Sequence, residues 1–225
     1  MRKSLKKWIV PLAAPLVLGL LISAARADDA YYMMIFAYQG KANLPRLAHS
    51  FATFVKVPQK DSGEPDTARL ESHTISWLPA TLTVRPLRLR PETGKNLDLP
   101  ETLKLAVSQD ADVTAWGPYR IRKELYDRAV AQIDRLKGGQ IAYKAIDGIR
   151  WPGMATNCFH AISDVLDGPL LDTGTAYGNP ASEMVRDHLS RWIIDPKTNH
   201  RFLITSLGLD KHTIAYPEID KAAVR

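Results

Sequence analysis

The sequence predicts an α+β domain in which an antiparallel sheet is covered by helices. Apolar, aromatic and β-branched stretches separated by turn residues fill the first third of the chain after its N-terminal apolar run. Helical periodicity dominates the segments that follow. An apolar fraction of 45% over a chain of 225 residues is enough to build a core. Strands followed by helices, rather than alternating with them, favour α+β.

Four segments have the composition of strands. They are residues 31–38, 50–57, 71–78 and 82–89. The first stops at Gln39-Gly40 and the second at Pro58, both of which are typical strand breakers. Polar residues 59–66 predict a loop, and Pro86 in the fourth segment predicts a sheet edge.

Four later segments are predicted helices. They are residues 100–110, 119–137, 158–166 and 182–192. Pro100 suits a first helical turn, and Gly138-Gly139 ends the second helix behind an apolar stripe at spacings of three and four. Residues 116–119 predict a turn, and residues 140–146 a short strand. Loops are expected over residues 149–157 and 168–180, and a loose tail over residues 217–225.

The positive charge is concentrated at the N-terminus. The chain has 30 Lys and Arg against 24 Asp and Glu, a formal charge of +6. Five of the basic residues and none of the acidic ones fall in residues 1–27, so residues 28–225 are nearly neutral. A nucleic-acid partner is therefore not expected.

The same N-terminal segment resembles an export signal. A basic stretch precedes the apolar residues 9–24, and Ala25-Arg26-Ala27 carries small residues at the positions that a signal peptidase recognises. We expect cleavage after Ala27, which leaves one domain over residues 28–216, located in the periplasm or secreted, with no stable membrane span. An uncleaved anchor is the alternative, although the apolar run is short and contains two prolines.

Cys158 is the only cysteine, so no intramolecular disulfide can form. A thiol at the start of a helix is near free N–H groups that favour the thiolate and can bind an oxyanion. A reactive thiol, an intermolecular disulfide and a buried structural thiol are the alternatives. Asn157, just before it, can cap the helix or support the oxyanion.

Two histidines are candidate partners for a nucleophilic thiol. His49 begins one predicted strand and His73 lies in the next, so antiparallel pairing can place both on one face. A thiol hydrolase needs a base and a group that orients the base. His160 lies about 200° around the helix from Cys158 and is interpreted as structural.

The residues His49, His73 and Asn157-Cys158-Phe159-His160 carry a resemblance to a known family. They are similar to the circularly permuted papain-like enzymes of the NlpC-type superfamily, and most to the branch like lecithin–retinol acyltransferase. The resemblance implies Cys158 as nucleophile, His49 as base and His73 as the residue that orients it, with Glu71 or another polar residue as the alternative orienter. The separation of the two histidines requires an insertion around residues 59–66.

The resemblance implies a cysteine hydrolase or acyltransferase that cleaves an amide or ester bond, and the predicted export signal implies that it acts outside the cytoplasm. Peptides or lipids of the cell envelope are the expected substrates, and no cofactor or metal is expected, because the histidines lack metal-ligand spacing. A non-catalytic envelope domain with the same fold is the alternative. Arg85, Arg88 and Arg90, which alternate on a predicted strand, belong either to a solvated sheet edge or to a surface that binds an acidic partner.

Overall fold

The computed structural model describes residues 29–147, 155–167, 171–196, 198 and 200–219. The predicted signal segment 1–27 with its cleavage site, and residues 220–225 of the predicted tail, lie outside this range. Within it the strands are β1 (Ala30–Gly40), β2 (Ala48–Val57), β3 (Glu71–Ile75), β4 (Trp77–Pro79), β5 (Gly94–Asn96), β6 (Ala111–Ile121), β7 (Ala142–Tyr143), β8 (Ala155–Thr156) and β9 (Ile214–Ala215). The α-helices are α1 (Leu99–Ser108), α2 (Lys123–Lys137), α3 (Cys158–Ser163), α4 (Gly178–Leu189) and α5 (Phe202–Ser206).

The main sheet has five strands in the order β3-β2-β1-β6-β9. Its pairs are antiparallel except for the short parallel pair of β6 with β9. Two small two-stranded sheets, β4 with antiparallel β5 and β7 with parallel β8, lie beside it. The protein is therefore a mixed α+β domain with a mostly antiparallel sheet, as the sequence predicted at this level.

Helices cover both faces of the sheet, because β1 and β2 are apolar on both sides. One face carries Met33, Ile35 and Phe54 and packs against α2, α3 and α4. The other face carries Phe36 and Phe51 and packs against α1 and the segment around α5. Alternation of side chains along each strand assigns each residue of β2 to one of these faces.

The prediction that residues 119–137 form one helix is wrong at its start. The chain stays extended through β6 and turns helical only at Lys123, so β6 is a central strand beside β1. The sequence Gly117-Pro118, which predicted a turn, lies in a bulge where the register with β1 shifts between Met33 and Ile35. A bulge accommodates a proline because no ladder N–H is needed there, and Gly117 adopts a φ of 91°.

The prediction of a strand over residues 82–89 is also wrong. These residues form turns and irregular chain, with Leu87 90% and Leu89 84% exposed. The segment is instead followed by β5, which pairs with β4 and was not predicted. Short apolar runs alone do not specify a strand, because a strand also needs a pairing partner.

Smaller differences affect the elements around the candidate site. The predicted strand over 140–146 shortens to β7, the helix that starts at Cys158 ends at Ser163, and α4 starts four residues earlier than predicted. The first residue of α4, Gly178, lies so close to β1 that a Cβ there would be 2.8 Å from the carbonyl oxygen of Tyr38.

The C-terminal segment is packed where the structure describes it. Glu218 accepts hydrogen bonds from Tyr119 and Arg186, and Ile219 is buried. The prediction that the chain is loose from residue 217 is therefore wrong for residues 217–219, which depend on tertiary contacts that composition does not reveal.

Candidate functional site

Cys158 is the first residue of α3, directly after the short strand β8. The side chain of Asn157 caps this helix, with its Oδ1 atom accepting a hydrogen bond from the His160 N–H at 2.9 Å. The cap fixes where the helix begins, since the side chain satisfies an N–H that has no partner within the helix. It therefore also fixes the position of the Cys158 thiol.

The Cys158 sulfur lies against the backbone of β2. The backbone N–H groups of Ser50, Phe159 and Cys158 itself act on the sulfur and favour the thiolate. The pairing of β3 with β2 stops at Ala52, so the Ser50 amide lies beyond the end of β3. Burial raises the pKa of the thiol to about 11 against these N–H groups, and the charge of Asp147 adds to the rise. The thiol is thus protonated at neutral pH.

His49 is buried, with 1% of the residue exposed. Its Nε2 atom lies 2.9 Å from the Ser76 hydroxyl oxygen, and its Nδ1 atom has no hydrogen-bond partner. The ring stacks on Phe51 with centroids 5.8 Å apart. Burial lowers the pKa of His49 to about 3, so the imidazole is neutral at physiological pH and can accept a proton.

Cys158 and His49 line the same cavity. The Ser50 amide that acts on the sulfur is the amide bonded to the His49 carbonyl carbon, and both residues line one cavity. No hydrogen bond joins the thiol and the imidazole, since Nδ1 is unpartnered and Nε2 bonds Ser76. The His49 ring lies on the face of the sheet that carries Phe51, whereas α3 packs against the face that carries Phe54.

His73 does not join them, and the prediction that it orients His49 is wrong. The β2–β3 register pairs His73 with Phe54, five residues or about 17 Å along β2 from His49. An odd separation also puts His73 on the opposite face of the sheet. There His73 makes an edge-to-face contact with Tyr126, with ring centroids 5.8 Å apart.

Ser76, and not His73, is the hydrogen-bond partner of the His49 ring. It follows β3, and its own N–H donates to the Asn96 side chain at 2.9 Å. Ser76 is fully buried, which is unusual for a serine unless its hydroxyl is bonded. A small polar residue between Ile75 and Trp77 was the available sequence signal, but only the register shows which residue it faces.

A buried polar cluster around Asp147 anchors the start of α3. The Asp147 carboxylate accepts hydrogen bonds from the Asn157 N–H, the Asn157 Nδ2 and the His160 Nδ1, each at 2.8 Å. The His160 Nε2 lies 2.7 Å from the carbonyl oxygen of Leu171. No pattern in the sequence had pointed to Asp147.

The geometry assigns a charge to His160. Both of its ring nitrogens face acceptors, so both donate and the ring is an imidazolium paired with the carboxylate. Burial lowers the pKa of His160, but the hydrogen bond and charge of Asp147 outweigh this and place its pKa above the ordinary value. An imidazolium without a free nitrogen cannot act as the base for Cys158.

Two adjoining cavities open beside this cluster. The first has a volume of about 260 Å³, and its lining is mostly apolar, including Val84, Pro86, Tyr143, Phe159 and Ala181 in addition to Cys158 and His49. The second, about 480 Å³, is lined by the His160 and Asp147 side of the cluster and by residues 171–176. A substrate carbonyl could reach the sulfur through the first cavity.

The described residues contain neither a helix that could span a membrane nor a group of potential metal ligands. Within this part of the chain, none of the helices combines the length and the apolar character that crossing a bilayer requires. Among the same residues, no three His, Cys, Asp or Glu side chains are grouped so that they could hold a metal ion.

Comparison with known proteins provides no relative. No family model matches the chain, and neither curated proteins nor solved structures give a match.

Proposed function

We propose that this protein is a thiol hydrolase or acyltransferase that cleaves an amide or ester bond, with Cys158 as nucleophile and His49 as base. One observation carries the proposal: one cavity is lined by Cys158, whose sulfur lies against the Ser50 N–H, and by His49, whose buried Nδ1 has no hydrogen-bond partner. A buried ring nitrogen without a partner costs free energy, and a catalytic role is one explanation for such an atom in a native structure.

The proposed reaction has two acyl-transfer steps. With the Nε2–H donating to Ser76, the lone pair of His49 lies on Nδ1, which takes the thiol proton as the sulfur attacks the substrate carbonyl carbon. The tetrahedral oxyanion collapses, the leaving amine or alcohol takes the proton from Nδ1, and a thioester on Cys158 remains. Water or an acceptor alcohol or amine then attacks the thioester, with His49 again carrying the proton, and the thiol is regenerated.

The proposal extends to fold subtype and location. A strand histidine early in the chain and a helix-initiating cysteine late in it support a permuted papain-like arrangement. An export signal over residues 1–27 would place the enzyme in the periplasm or outside the cell, with envelope peptides or lipids as substrates. The mostly apolar lining of the first cavity suits the acyl part of such a substrate.

A second candidate is a non-catalytic domain of the same fold. It is favoured by the protonated resting thiol and by the missing hydrogen bond between Cys158 and His49. The two candidates differ in whether a thioester forms and turns over.

The test uses p-nitrophenyl butyrate and intact-protein mass spectrometry. We expect a butyryl adduct on Cys158, a burst of p-nitrophenolate and then continued release. Cys158→Ala should abolish the adduct, and His49→Gln should slow its formation by about 100-fold, the usual size of a general-base contribution. His212→Gln, at an exposed histidine, is the matched control.

Three results would contradict the proposal. A burst that survives in Cys158→Ala would exclude Cys158 as the nucleophile, and unchanged kinetics in His49→Gln would exclude His49 as the base. A stoichiometric adduct without turnover on this ester or on peptide and phospholipid substrates would favour the non-catalytic domain.

A further inference from the structure

Large exposed hydrophobic residues occur in the segments that line the first cavity. Six of the eight such side chains in the described part of the chain either line this cavity or lie within three residues of one that does. Met184 is on α4, and the other five are outside helices and strands; they are Leu44, Leu87, Leu89, Ile146 and Tyr177. We call these five residues and the neighbouring arginines the rim patch. A cluster of this kind indicates a binding surface, whereas single exposed hydrophobics do not.

The loop that contributes most to the rim patch is irregular rather than a sheet edge. Val84 and Pro86 point inward and line the cavity, whereas Arg85 and Leu87 between and beyond them are exposed. Because residues 82–89 belong to no strand, the explanation of the arginines as protection of a sheet edge no longer applies. The exposed leucines therefore need another explanation.

The charge of the rim patch is positive. Arg46 follows the cavity residue Pro45, and Arg85, Arg88 and Arg90 alternate with the exposed leucines; all four arginines are exposed. Among the described residues Arg46, Arg85 and Arg90 form no ion pair, while the Arg88 Nε atom lies 3.8 Å from the Glu92 carboxylate. Asp172, in the lining of the adjoining second cavity, is an exposed acid.

We propose that the rim patch docks the protein on an anionic phospholipid bilayer. Leucines alternating with arginines fit this surface, since the leucines enter the boundary of the acyl chains while the arginine stems keep their charged heads at the phosphates. An acidic protein partner would satisfy the arginines but would leave protruding leucines with no apolar layer to enter. The proposal does not depend on the chemistry at Cys158.

The experiment places an environment-sensitive fluorophore at residue 87 of the full chain. The labelled variant is Leu87→Cys in a Cys158→Ser background, and the matched control is Val107→Cys in the same background, at a residue that is 69% exposed on α1. Each label reports only its own surroundings, so the apolar N-terminal segment present in both variants does not produce the signal. The probes are vesicles of pure phosphatidylcholine and of equimolar phosphatidylcholine and phosphatidylglycerol.

We expect a blue shift and protection from iodide quenching at residue 87 with the phosphatidylglycerol vesicles, and neither at residue 107. Adding Arg85→Gln and Arg90→Gln should raise the lipid concentration that gives a half-maximal blue shift at least several-fold. High salt should do the same, because it screens the attraction between the arginines and the anionic lipid. The proposal is overturned by a label at 87 that stays quenchable, by equal shifts at 107, or by equal response to neutral vesicles. A shift with soluble polyglutamate alone would assign the surface to an acidic peptide instead.

Discussion

The Asp147→Ala substitution removes the centre of the polar cluster that anchors α3. It leaves three buried donors without their acceptor: the Asn157 N–H, the Asn157 Nδ2 and the His160 Nδ1. It also leaves the His160 imidazolium, 6% exposed, without its counter-charge. Removal of one partner from a buried pair typically costs about 3–5 kcal/mol of unfolding free energy.

Urea and thermal unfolding measure this cost. For a domain of this size, the loss corresponds to a fall in melting temperature of roughly 10 °C. Asp127→Ala is the matched control, because Asp127 is 52% exposed and pairs with Lys123 on the surface of α2. That substitution should cost less than about 1 kcal/mol.

The pairing of Asp147 with His160 also predicts that the effects of removing the two residues are not additive. The double variant Asp147→Ala, His160→Ala should lose less stability than the two single losses added together, since each single variant leaves the other group unpaired. The pKa of His160 is raised in the folded state, so its contribution is complete below the ordinary histidine pKa and is lost as the pH rises through the raised value. A loss under about 1 kcal/mol for Asp147→Ala, or strict additivity, would refute a buried ion pair.

Three further outcomes are expected. Burial lowers the pKa of His49 to about 3, so the unfolded chain binds a proton more readily than the folded one, and the free energy of unfolding should fall as the pH drops from about 6.5 towards 3. In urea unfolding measured against pH, His49→Gln should flatten this part of the profile. An unchanged profile would contradict the burial of His49. Ser76→Ala removes the hydrogen bond that orients the His49 ring, so it should slow butyrylation of Cys158 and lower the free energy of unfolding by about 1 kcal/mol. Equal slowing by His73→Ala would contradict Ser76 as the residue that orients His49. Gly94→Ala places a Cβ 1.9 Å from the Trp77 ring, so near-ultraviolet circular dichroism should show disturbed tryptophan packing, and an unaltered spectrum would contradict the close approach.

Local signals made much of the fold predictable. Strands β1 and β2 and the helix α1 appear where composition and breakers placed them, because these elements depend on backbone sterics and on residues within a few positions. The start of α3 at Cys158 is also local, since Asn157 provides the cap next to it. The pattern of apolar residues was least informative where an apolar run has no neighbouring strand to pair with, as in residues 82–89.

The candidate site was predictable in part for the same reason. Cys158 at a helix start and His49 at a strand start are local features, and both residues line one cavity. The choice between Ser76 and His73 as the partner of His49 depends on the β2–β3 register, in which a shift of one residue reverses the face of every side chain. The sequence contains no direct record of that register.

The sequence by itself determined the class of fold, the strands β1 and β2 and the position of the thiol at the start of a helix. Only the tertiary structure decided that β6 is a central strand, that Asp147 pairs with His160, and that the leucines of residues 82–89 protrude beside a cavity. The physical reason is the separation along the chain of the residues that each interaction joins. Capping and side-chain alternation act over a few residues, whereas strand pairing, burial of a charge and the lining of a cavity join segments that are far apart in the chain.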